Sequence, residues 1–121
     1  GAVASEADFA LQGETALPMH NPAHYSVSLS AIQGTVSLRA GEHRIRFDAS
    51  AHTLSFENGH TAVFEGETLQ FEVLADTTTM EFCFEGSIMA TYAMAPEHMS
   101  LIVKGECRVQ YICHAVENVW E

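Results

Sequence analysis

Polar and apolar residues alternate through most of the first two thirds of the chain. Tyr25, Val27 and Leu29 alternate with Ser26, Ser28 and Ser30. The same period recurs in Arg44-Ile45-Arg46-Phe47, Leu54-Ser55-Phe56, Leu69-Gln70-Phe71-Glu72-Val73 and Met80-Glu81-Phe82-Cys83-Phe84. One apolar face at a period of two is the pattern of a half-buried antiparallel strand. Turn residues separate the runs at Gln33-Gly34, Ala40-Gly41-Glu42, Glu57-Asn58-Gly59, Glu65-Gly66-Glu67 and Ala75-Asp76. A turn roughly every 8–12 residues is the rhythm of an all-β sandwich or barrel. Residues 7–84 are therefore predicted to form such a sandwich or barrel.

Beyond Phe84 the alternation fades. Gly86–Ala95 is rich in Met and Ala, and Pro96 follows. That predicts a short helix over residues 86–95 that stops before the proline. From Gly105 onward Val109, Ile112, Cys113, Val116, Val119 and Trp120 fall at helical offsets. They predict an amphipathic helix over residues 105–121. Its β-branched residues have low helix propensity, so packing would have to stabilise it.

Composition narrows the function classes. The chain has 121 residues, of which 47% are hydrophobic, and a formal net charge of −11. That length suits one domain, and the apolar fraction suffices for a core. Arg39, Arg44, Arg46, Lys104 and Arg108 are too scattered to form a basic stripe. Direct contact with nucleic acid or an anionic membrane is not expected. No apolar run approaches the ~20 residues of a membrane span. Gly1–Ala10 has neither a basic start nor a long apolar stretch, so no signal peptide is expected. The initial Gly1 and the uncapped end at Glu121 suggest a piece excised from a longer cytoplasmic protein. Cys83, Cys107 and Cys113 are odd in number and lack CxxC spacing, which argues for free buried thiols.

Seven histidines are the first candidates for chemistry. His20 and His24 precede the Tyr25 strand, and His60 follows Asn58-Gly59. Converging at a barrel mouth, they would suit a divalent metal. Cupins use two His one residue apart with a Glu shortly after. Here His20 and His24 stand three residues apart in the gap, and Ser28 occupies the place of the Glu. No metal or other cofactor is expected on that basis. No GxSxG motif or phosphate-binding glycine loop is present.

The order of elements supplies a resemblance. The Tyr25–Ile32 strand is followed by Gly34-Thr35-Val36-Ser37-Leu38, by Glu42–Phe47, and by Thr53-Leu54-Ser55-Phe56-Glu57-Asn58-Gly59-His60. With the strand pair ending at Met80–Phe84 and two trailing helices, this resembles the cupin-like amino-terminal domain of AraC-type transcriptional regulators. The resemblance implies a non-enzymatic module that senses a small molecule in the barrel and dimerises through its last helix. Contact with DNA would belong to a further domain absent from this chain. A ligand would meet His24, Tyr25, His60, Phe71 and Phe84, and a homodimer seam would use Val109, Ile112, Val116, Val119 and Trp120. The alternative expectation is a stand-alone metal-dependent cupin enzyme with His20, His24 and His60 as ligands.

Overall fold

Three long strands carry the fold in a computed structural model that describes residues 3–18, 22–65, 68–76, 79–84, 87–92 and 98–115. They are β1 (Val3–Leu17), β2 (Ala23–Ala40) and β9 (Met99–Ala115). β9 lies between the other two and pairs antiparallel with both over nearly its whole length. Six shorter strands complete the sheet: β3 (His43–Asp48), β4 (Thr53–Phe56), β5 (Thr61–Val63), β6 (Leu69–Ala75), β7 (Met80–Phe84) and β8 (Ser87–Tyr92). On its other edge β2 pairs twice. Its first half takes β6, then β7 and β8; its second half takes β3, then β4 and β5.

The two halves fold onto each other. Val27 is the partner of Phe71, and Val36 is the partner of Phe47. Nine residues of straight strand would separate those pairs by about 30 Å. The Phe47 and Phe71 rings are nevertheless stacked, with centroids 5.4 Å apart. The sheet must bend sharply between them. It bends where β2 carries one more residue than β9, between Ser30 and Gln33. Ala31 sits there at φ 49°, and Gly34 faces Gly105 just beyond. A bulge that inserts one residue bends a strand and resets its phase. Both effects are visible. Tyr25, Val27 and Leu29 point inward before the bulge, and Val36, Leu38 and Ala40 after it.

The product is a β-sandwich whose two layers share β1, β2 and β9. Its core is aromatic where the layers meet. Phe82 on β7 touches Phe71 at 5.2 Å, Phe56 at 5.8 Å and Phe47 at 6.3 Å between ring centroids. Burying a phenylalanine of this kind contributes roughly 2–3 kcal/mol. Among the described residues no charged side chain is buried.

Two expectations are corrected. The cupin-like barrel with trailing helices is replaced by an all-β sandwich with no helix among the described residues. β1, β5 and β8 each pair on one edge only there, so the sheet curls without closing. Within the predicted helix 86–95, Ser87–Tyr92 is β8, paired with β7. Within the predicted helix 105–121, the chain to Ala115 is the second half of β9; residues 116–121 lie outside the described residues. The reason is a competing period of two. Leu101, Val103, Cys107, Val109, Tyr111 and Cys113 all turn inward, while Ile112 points away and is 39% exposed. The helical offsets of Val109, Ile112 and Cys113 mix both faces of a strand. With β1 on one edge and β2 on the other, β9 bonds its backbone on both sides, a partner set that its β-branched residues suit.

Candidate functional site

The inward set of each strand fixes the outward set. On the layer built from β6, β7 and the first half of β2, the outward side chains are polar and stand in rows set by the register. One row runs Cys83, Glu72, Ser26, Ile112, Glu6 across β7, β6, β2, β9 and β1. The next runs Gln70, Ser28, Gln110, Asp8. Five strands at their usual spacing make a face about 19 Å wide, with about 7 Å between rows.

These rows line a cleft of about 1100 Å³. Its floor includes the backbone of Ala7, Val27, Phe71 and Tyr111, whose own side chains turn into the core. Phe64, Glu65 and Thr68, from the connection between β5 and β6, add a wall. The Phe64 amide donates to the His52 carbonyl at 2.9 Å and anchors that wall to the other layer.

Two of the carboxylates are tied to neighbours. Asp8 accepts from the Gln110 side-chain amide at 3.0 Å and pairs with the Arg108 guanidinium at 2.8 Å. The Gln110 hydrogen bond and then Arg108 hold the Asp8 carboxyl below the ordinary 3.8. Glu72 Oε1 stands 3.0 Å from His24 Nε2. Cys83, beside Glu72 in its row, has its thiol pushed up by burial and by the charges of Glu81 and Glu72. Four carboxylates, Glu6, Asp8, Glu65 and Glu72, line the cleft, so its field is negative. Serine hydroxyls and glutamine amides between them both donate and accept.

The sequence-predicted residues are dispersed over this arrangement. His24 stands on the cleft face one row beyond Glu72. Tyr25, its neighbour, is fully buried and donates its hydroxyl to the Pro18 carbonyl at 3.0 Å. Phe71 and Phe84 are paired across β6 and β7 and lie in the core, with the cleft at their backbones. His60 belongs to the turn between β4 and β5 in the other layer, where its amide donates to Asn58 Oδ1. Of the dimer-seam set, Val109 is buried in the core and Ile112 lies in the cleft, so the two do not share a face. Val116, Val119 and Trp120 lie outside the described residues, as does His20.

Sequence reasoning passed over Ser26, Ser28, Gln70 and Gln110. Their signal was the polar half of the same alternation that marked the strands. Ser28 and Gln70 flank Val27 and Phe71 and are cross-strand partners.

No protein-family model matches the chain, and no curated protein matches it in sequence. Solved structures do share its fold. The galectin LEC-6 of Caenorhabditis elegans is 11% identical with a TM-score of 0.54, each chain covered to 89%. A fructosyltransferase from A. japonicus is 17% identical with a TM-score of 0.58; it covers 99% of this chain, which spans 27% of the enzyme. An alginate lyase of polysaccharide lyase family 7, AlgAT5, is 9% identical with a TM-score of 0.51; it covers 89% of this chain, which spans 62% of the lyase. At these identities the likeness is one of fold: a β-sandwich of the kind these proteins contain.

Proposed function

We propose that the chain is a non-catalytic binding module whose cleft takes an uncharged oligosaccharide. The observation that carries this reading is the pair of polar rows across the cleft, with Ser26, Ser28, Gln70 and Gln110 at its centre. A sugar presents hydroxyls that both donate and accept, and these four side chains answer in kind. Ile112, the apolar member of its row, offers a contact for the hydrophobic face of a sugar ring. The negative field disfavours acidic glycans. Support of a weaker kind comes from the fold, since a galectin, a fructosyltransferase and an alginate lyase contain it.

Binding rather than general-acid catalysis is the reading that Asp8 suits. Asp8 is held ionised by Gln110 and Arg108. A general acid needs the opposite tuning, a carboxyl raised toward neutrality. In this reading the small-molecule ligand expected from the sequence is replaced by an oligosaccharide. The dimerisation reading loses its support, because the stretch of its seam that is described is a strand.

The test is calorimetric titration with neutral gluco-, xylo-, manno- and galacto-oligosaccharides. Saturable binding to one class is expected, weakened at least tenfold in a Ser28→Ala, Gln110→Ala double variant. No heat from any of them at millimolar concentration would overturn the reading. Release of reducing ends by the purified protein would move it to the enzymes.

A further inference from the structure

One wall of the cleft is held from the other layer of the sandwich. Phe64, Glu65 and Thr68 make that wall, Phe64 buried and the other two exposed. None of the three lies within a strand. Their position is therefore set by the contacts that hold the connection, not by a cross-strand ladder.

Those contacts converge on the turn between β3 and β4, residues 49–52. The His52 carbonyl accepts from the Phe64 amide at 2.9 Å. The His52 and Phe64 rings lie 5.7 Å apart between centroids, tilted by 59°. His52 has a left-handed backbone, φ 51°, a conformation uncommon outside glycine. Its neighbours hold it there. Asp48 Oδ1 accepts from the Ser50 amide at 3.0 Å, the Ser50 hydroxyl at 2.8 Å and the Ala51 amide at 3.2 Å. A single carboxylate thus closes the turn. The Ala49 amide donates to the Gly34 carbonyl at 3.3 Å and ties the same turn to the bend of β2.

We propose that Asp48 and His52 are positioning residues for the ligand: they hold the turn that holds the cleft wall, although neither lines the cleft. For the identity of the ligand the proposal rests on the oligosaccharide reading. The dependence runs from Asp48 through the turn to the His52 carbonyl, the Phe64 amide, and then Glu65 and Thr68. Without the Asp48 carboxylate the Ser50 and Ala51 amides turn to water, and the left-handed residue relaxes. The Phe64 amide then loses its acceptor. A loosened wall costs affinity because binding must order it.

The experiment compares Asp48→Ala, Asp48→Asn and Ile45→Val by two measurements. Native-state hydrogen exchange follows the Phe64 amide, with the Val73 amide on β6 as the monitor of global unfolding. Calorimetric titration uses the tightest-binding of the gluco-, xylo-, manno- and galacto-oligosaccharides. In Asp48→Ala, exchange at Phe64 accelerates by about tenfold more than at Val73. Affinity falls about threefold or more. Asp48→Asn retains a side-chain oxygen that accepts, so it restores both wild-type values. Ile45→Val trims the buried core of β3 and accelerates Val73 at least as much as Phe64, with affinity unchanged. Exchange at Phe64 that does not respond to Asp48→Ala overturns the proposal, with or without a ligand. Faster exchange with undiminished affinity overturns it as well. Absence of binding by the wild type overturns the oligosaccharide reading and the ligand role built on it, while the exchange measurement still decides whether the turn holds the wall.

Discussion

Gly34 and Gly105 are cross-strand partners at the bend of the sandwich, each pressed against the chain that carries the other. A Cβ on Gly34 would overlap the Lys104 carbonyl oxygen, and one on Gly105 would overlap the Gln33 carbonyl oxygen. Both residues also have positive φ, 91° and 120°. Steric exclusion and backbone conformation thus demand glycine at the same two positions. Gly34→Ala and Gly105→Ala should each cost about 3 kcal/mol or more, at the upper end of single substitutions. Gly59 has a positive φ of 86° but open space at its Cβ position. Gly59→Ala should cost only about 1 kcal/mol. Urea unfolding of the three variants measures the contrast, and equal losses would refute the close approach.

Ala31 occupies the bulge of β2 at φ 49°, where a side chain is strained by roughly 1–2 kcal/mol. Glycine removes that strain at an entropic cost of roughly 0.5–1 kcal/mol. Ala31→Gly should therefore raise the urea midpoint slightly, by up to about 1 kcal/mol of stability. A clear loss would place the bulge elsewhere.

The Asp8 carboxyl is held below its ordinary 3.8 by Gln110 and Arg108. A folded value below the unfolded one stabilises the fold at pH above 3.8, and that contribution is lost as pH falls through the lower folded value. Removing the partners should shift Asp8 back toward 3.8. A carbon-detected NMR titration of wild type, Gln110→Ala and Arg108→Ala reads this, with an upward shift expected in each variant.

All three cysteines are buried, and burial pushes each thiol up. Thiolate is the reactive form, so none should react quickly with a disulfide reagent at neutral pH. Addition of denaturant should release all three at once. A thiol that reacts in the native state would expose a local opening, most informatively at Cys83 on the cleft face.

Legibility in the sequence followed the strength of alternation. Tyr25–Leu29, Ile45–Phe47 and Leu69–Val73 each carry large apolar residues on one side and polar ones on the other, and each is a strand in the structure. β9 was read as a helix because Ile112, an outward residue, happens to be apolar. With Val109, Cys113, Val116, Val119 and Trp120 it completes a set at helical offsets of three and four. β1 was only partly legible. Its inward positions are small or partly exposed, as at Ala7 and Phe9, so the pattern there is weak. The bend was not legible at all. It depends on Gly34 meeting Gly105, seventy-one positions away, and only tertiary structure brings them together. The candidate site was missed for a related reason. Imidazoles and aromatics drew attention, whereas the cleft is made of serines and glutamines whose meaning arises from their rows.

The position of β9 between β1 and β2 governs how the chain can be assembled on the ribosome. β1 is the first described strand to emerge, and among the described residues β9 is its only strand partner. Leu17 must wait for Met99, and Val3 for His114. Throughout that interval fifteen residues of strand have no partner, and one edge of β2 is equally bare. Unpaired strand edges template aggregation, and charged residues along them are the usual protection. Glu6, Asp8 and Glu14 are spaced along β1 with exposed side chains. Part of the acidity of this chain thus serves its nascent state, keeping the first strand apart from its neighbours until the last one arrives.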